Sequence, residues 1–174
     1  MKRIYLLFFF LLLSAAVFAQ TISGRKTGYR GSVSVINQAL VCVGVETSHG
    51  VMINPNHYLG AGVGAYVFPN GTGYPTFAEA FIDYQAYFLK KNSSPFAELQ
   101  AGYSQALRQN GFGNSYNYKQ GVSLQPSLGW SWSLGSGCGI SASAGANLVL
   151  PIGDNPAGLP IYVAPKVAVS FAFY

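Results

Sequence analysis

The sequence predicts an all-β chain: an eight-stranded antiparallel up-and-down transmembrane β-barrel preceded by a cleavable signal peptide. Three observations carry this reading. Charged residues make up only 9% of the 174, far below the roughly 25% of ordinary soluble domains, so there is too little charge to cover a water-facing surface. Beyond residue 20 there is no long apolar run, so apolar residues meet lipid on alternate positions instead of in blocks. Finally, the segments between the alternating stretches are short and long in turn, as the two sides of an outer membrane require.

The first element is "MKRIYLLFFFLLLSAAVFAQ". Two basic residues, an apolar run and the exit Val17-Phe18-Ala19 form a secretory signal peptide over residues 1–19. The stretch Tyr5–Ala19 is shorter than the roughly 20 residues of a spanning helix. No Cys follows the expected cleavage site between Ala19 and Gln20 to take a lipid anchor there. Residues 20–27 are then a short periplasmic segment and 28–174 the barrel. The formal net charge of +5 falls to +3 once Lys2 and Arg3 leave, and no basic cluster remains to suggest nucleic acid.

Eight stretches of period-2 alternation follow, the signature of half-buried strands. In "GYRGSVSVI", Tyr29, Val33 and Val35 oppose Arg30, Ser32 and Ser34. In "VCVGVETSHGVMI", Val41, Val43 and Val45 oppose Cys42, Gly44 and Glu46. In "YLGAGVGAYVF", Leu59, Ala61, Val63, Ala65 and Val67 oppose three glycines and Tyr66. In "FAEAFIDYQAYFL", Ala78, Ala80, Ile82, Tyr84 and Phe88 oppose Glu79, Asp83 and Gln85. "PFAELQAGYSQAL" sets Ala97, Leu99, Ala101 and Tyr103 against Glu98, Gln100, Gly102 and Ser104. "VSLQPSLGWSWSL" sets Leu124, Pro126, Leu128, Trp130 and Trp132 against serines, Gln125 and Gly129. "ISASAGANLVL" carries Ser141, Ser143, Gly145 and Asn147 on its polar face. The terminal "PKVAVSFAFY" points Val167, Val169, Phe171 and Phe173 away from Lys166.

Connections two, four and six read "NPNH", "KKNSS" and "GSG", whereas three, five and seven read "NGTGYPT", "RQNGFGNSYNYK" and "PIGDNPAGLP". With both termini in the periplasm, the long ones face outward; connection one, around Asn37–Leu40, is the short exception. The Tyr/Asn/Ser/Gly composition of the fifth suits both adaptable surface contact and any solvated loop.

Charge placement agrees. Glu46, Glu79, Asp83 and Glu98 all fall on polar faces, as do Arg30 and Lys166; the fifth acid, Asp154, falls in a loop. A base on the lipid face would cost about 2–4 kcal/mol at mid-membrane. The six are therefore expected to form one interior network of salt bridges and hydrogen bonds, with the pairing left open. An eight-stranded barrel has room for side chains but not for an open channel. Tyr29, Phe88, Trp130, Trp132, Phe171 and Phe173 fall at one level near the periplasmic ends of their strands, where an aromatic girdle belongs.

The runs "GYRG", "ETSHG" followed by "NP", "GAGVGAY", "SPFAELQAGYS", "LQPSLGW" and "KVAVSFAFY" resemble the small OmpA/OmpX-like outer-membrane barrel proteins of Bacteroidota, over nearly all of the mature chain. That resemblance implies a location in the outer membrane and no settled ligand or reaction. By resemblance to outer-membrane proteins generally, Val169, Phe171, Phe173 and Tyr174 carry the signal read by the barrel-assembly machinery. Tyr174 shifts face relative to the usual aromatic-last form.

Chemistry is sparse. "GAGVGA" lies in a strand pattern with no helix after it, against the context of a dinucleotide loop; its glycines are expected to leave interior space for Phe81 or Tyr87. His49 is expected to face outward beside an inward Ser48, with no outward acid to complete a catalytic set. His57 falls in the "NPNH" turn. Cys42 and Cys138 are expected near opposite ends of the barrel, too far apart to bridge, as two interior thiols. No His/Cys/carboxylate spacing suggests a metal, and no cofactor is expected. The function expected is an integral outer-membrane protein with a structural or surface-interaction role and no catalysis. The alternatives are a loop-borne binder of a small apolar ligand or lipid, and a secreted lipocalin-like carrier.

Overall fold

The computed structural model describes residues 25, 27–39, 42–67, 76–108, 120–135, 137–152 and 161–174. Alternation along the chain leaves one face apolar on every stretch, and the way to bury all the opposite faces at once is to close the sheet. The chain does so with eight strands: β1 Gly28–Gln38, β2 Cys42–Asn54, β3 His57–Val67, β4 Thr76–Tyr87, β5 Ser93–Arg108, β6 Gln120–Gly135, β7 Cys138–Pro151 and β8 Tyr162–Phe173. Each pairs antiparallel with its sequence neighbour, and β1 closes against β8. Closure removes every exposed sheet edge along the paired length.

The strands run one to three residues beyond most of the expected limits. His57 is the first residue of β3, not a turn residue, and Phe88 lies just past the end of β4. The β2–β3 turn is only Pro55–Asn56, with the Asn56 amide donating to Asn54 Oδ1 at 2.8 Å, a local turn that asparagine favours. At the same end, the Tyr174 amide donates to the Gly137 carbonyl at 2.7 Å, tying the C-terminus to the β6–β7 turn, where Gly137 has φ +84°. We call this the short-turn end. Connections three, five and seven leave from the opposite, loop end. Those loops, Asp154 and the expected signal peptide lie outside the described residues.

The two faces separate as the alternation requires. Val35, Val63, Ile82, Leu128, Val163 and Val169 are all more than half exposed on the outside. Arg30, Glu46, Glu79, Asp83, Gln100, Gln125 and Lys166 are all buried inside. A soluble barrel carrier would show the reverse.

Interior bulk is placed against interior glycine. The Phe81 ring lies where a side chain at Gly62 would have to go; Tyr66 does the same at Gly44 and Gly64, Tyr58 at Gly60, and Phe96 at Gly129. Phe81 thus fills the space expected for it. Tyr87 does not; it packs lower, with Met52, Tyr58 and Phe96.

Candidate functional site

Among the described residues, charged and polar side chains converge in the interior, which divides into two levels. In the loop-end half, Lys166 of β8 reaches across to β2. Its Nζ is 3.1 Å from Glu46 Oε1, with both side chains almost fully buried. The same ammonium donates to Gln100 Oε1 at 2.7 Å and Gln125 Oε1 at 2.6 Å, so all three of its protons are used. Glu46 also accepts from Gln100 Nε2 and from the Tyr66 hydroxyl. Among the described residues no base forms an ion pair with Glu79; it accepts from the Ser123 hydroxyl and from Gln125 Nε2.

In the short-turn half, Gln85 is the hub. Its Oε1 accepts from Arg30 at 2.8 Å and from the Tyr87 hydroxyl at 2.6 Å. Its Nε2 donates to Glu98 Oε1 at 2.8 Å and, more weakly, to Asp83. Asp83 also accepts from Ser48, which meets the Tyr58 hydroxyl. The Arg30 guanidinium lies 4.5 Å from the centre of the Tyr58 ring, a desolvated cation–π contact.

The six residues expected inside are all on the interior face, but they do not form one salt-bridge network. Among the described residues, Lys166–Glu46 is the direct ion pair. Arg30 meets the acids through a glutamine. The reason is geometric: Arg30 and Lys166 enter near opposite ends of the barrel. The amides Gln85, Gln100 and Gln125 bridge what the bases cannot reach. Their inward parity was visible in the sequence, but parity does not reveal which of them links which acid.

Each end is closed by apolar side chains. Ile36, Cys42, Tyr66, Phe77 and Ala168 pack at the loop end. Met52, Tyr58, Tyr87 and Phe96 pack at the short-turn end, with Tyr174 against them. Tyr174 therefore turns inward, while Phe171 and Phe173 stay on the outer face.

Sequence reasoning missed Arg25. It belongs to residues 20–27, expected as a short periplasmic segment, and it is only 6% exposed. Its guanidinium stacks 4.0 Å from the Tyr87 ring centre and donates to the carbonyls of Lys91 at 3.0 Å and Leu89 at 3.4 Å. Burial pulls its pKa below the ordinary guanidinium value, while the Tyr87 and Tyr174 phenols act in the opposite direction.

On the outer face, the expected girdle gathers at the short-turn end. Tyr29, Phe88, Trp130 and Phe171 are well exposed, and Trp132 and Phe173 are half-buried. The Phe173 ring lies over Gly31, beside Tyr29 and His49. His49 faces outward as expected. Thr47 Oγ1 donates to the Ser32 carbonyl and lies 3.0 Å from His49 Nε2, while the Tyr29 hydroxyl is 2.6 Å from His49 Nδ1. His57 pairs likewise with Tyr84. Among the described residues neither histidine has a carboxylate partner, and no group of three or more His, Cys, Asp or Glu could hold a metal ion.

Neither cysteine is in a disulfide, and they begin β2 and β7 at opposite ends. Cys42 is interior and buried. Cys138 is not interior: it pairs in register with Phe173 and shares the outward parity of Ile140 and Ala142. The register shift between Ser133 and Gly135 lets the tight β6–β7 turn close with Cys138 on that side.

No protein-family model matches the chain, and no curated protein matches it. Solved structures do. The chain is similar to a de novo designed transmembrane β-barrel (TM-score 0.50, 14% identity, covering 88% of this chain and 98% of the other). It is similar to the N-terminal β-barrel domain of OprF from Pseudomonas aeruginosa (TM-score 0.54, 11% identity, 87% and 100% covered). It is also similar to Neisserial surface protein A (TM-score 0.56, 11% identity, 86% and 99% covered). At these identities the likeness is one of fold.

Proposed function

We propose that this chain is an integral outer-membrane β-barrel of the OmpA/OmpX-like kind, exported by a cleavable signal peptide, with a structural or surface-interaction role and no catalysis. The observation that carries the reading is the inverted distribution of polarity: a belt of exposed Val, Ile and Leu outside and a hydrogen-bonded set of charges inside. That arrangement suits lipid outside the wall and is costly in water. The interior is packed with side chains and capped at both ends, so the loops on the loop end are the surface left for partners. Outer-membrane lipid contacts the belt, and the short-turn girdle sits at the periplasmic interface. The barrel-assembly machinery reads the terminal strand through Val169, Phe171, Phe173 and Tyr174. A secreted carrier would need its apolar side chains inside and its acids outside. The Bacteroidota character rests on the resemblance of the motifs alone.

The test is membrane fractionation of expressing cells combined with gel mobility before and after boiling. An outer-membrane protein whose mobility shifts on boiling supports the proposal. A soluble protein with no shift overturns it and restores the carrier reading.

A further inference from the structure

We propose that Arg25, the residue that follows the export signal by a few positions, is the latch of the barrel's short-turn mouth. The inference rests on the closed barrel and not on its location. Among the described strand residues the interior holds four carboxyl groups and two bases, so the polar filling is short of positive charge. Arg25 supplies a third base at the mouth nearest Asp83 and Glu98. Three contacts hold it: the face of Tyr87, and the carbonyls of Leu89 and Lys91 in the β4–β5 turn. Both carbonyls take a proton from the same nitrogen, Nη1. The Tyr87 ring is itself shared, since the Arg30 guanidinium lies 5.7 Å from its centre. Arg25, Tyr87 and Arg30 thus form a stack that runs from the mouth into the interior network. A Lys in place of Arg25 would keep the charge but lose the planar face that stacks on Tyr87.

The consequence is a job for Arg25, ahead of β1. Arg25 completes the seal over Met52, Tyr58, Tyr87 and Phe96, and a mature chain that began after Arg25 would have a floor held by those side chains and Tyr174 alone. The roof at the loop end would still stand, so the readout must be access from below and not conductance.

The test uses the full chain with Cys42 and Cys138 replaced by serine and a single reporter thiol at Met52→Cys, in the floor cluster beside Tyr87. Folded protein, identified by its mobility before boiling, is reacted with a small membrane-impermeant methanethiosulfonate. With Arg25 present the thiol reacts slowly. In R25Q it reacts about tenfold faster or more, because the local opening that admits the reagent is no longer held shut. R25K gives an intermediate rate, and serves if R25Q does not fold. Ser48→Cys is the second reporter should Met52→Cys not fold. Equal rates in the Arg25 chain and both variants overturn the latch. So does rapid labelling in the Arg25 chain itself.

Discussion

Lys166 and Glu46 lie 120 residues apart in the chain and form a buried ion pair that joins β8 to β2 across the intervening β1. The pair crosses the β1–β8 closure, which has only eight paired residues between Gly31–Gln38 and Phe173–Lys166. A charge pair in this position can form only after the sheet has closed, so it reports on closure itself.

Removing one partner leaves the other charge buried and uncompensated. K166M is expected to lower stability by about 3–5 kcal/mol, and the E46Q/K166M double variant by less than K166M alone. Urea titration of the fast-migrating folded band measures both. A double variant at least as damaged as K166M would mean that the bridging amides, not the charge pair, hold this level together.

The Phe81 ring on Gly62 is a volume match between β4 and β3. G62A forces the ring or the Thr47 carbonyl to move and is expected to cost about 1–3 kcal/mol; F81A leaves a void and costs about 3–5 kcal/mol. Because the two sites touch, the combined variant is expected to lose less than the sum. Strict additivity in the same titration would show that the ring does not need the missing Cβ.

Leu128 is 68% exposed at the centre of β6. If the outer face meets lipid, L128R costs about 2–4 kcal/mol and depresses folding into phospholipid vesicles. A surface leucine in water would tolerate the same change almost freely. Unchanged vesicle folding of L128R would therefore remove the membrane reading of the belt.

Cys42 and Cys138 sit at opposite ends and on opposite faces of the wall. Mobility on a non-reducing gel is expected to be unaffected by reductant, and the C42S/C138S chain is expected to show the same heat-dependent shift. In folded protein the half-buried Cys138 should be alkylated ahead of the buried Cys42. The reverse order would mean that the loop-end roof admits reagent.

Much of this was legible in the one-dimensional pattern. Period-2 alternation assigned every strand and the facing of nearly every residue on it, because a one-residue error would turn a whole face over. It failed at Cys138, which precedes the stretch read as the seventh strand and continues the outward parity of Ile140 and Ala142, and at His57, where a two-residue turn let β3 begin earlier. It had no purchase on Arg25, which precedes the first alternating stretch and carries no period to read.

What the sequence by itself determined is therefore the number of strands, their order, the two faces and the end at which the turns are short. These follow from local alternation and from turn residues, both of which act over a few neighbours. The tertiary structure alone decided which acid meets which base, that Gln85, Gln100 and Gln125 carry the interior between them, that each large ring finds its glycine on a neighbouring strand or its own, and that Arg25 and Tyr174 fold back onto one mouth. Those outcomes depend on strand register and on the reach of individual side chains across a closed interior, and neither quantity exists until the ring of strands has shut.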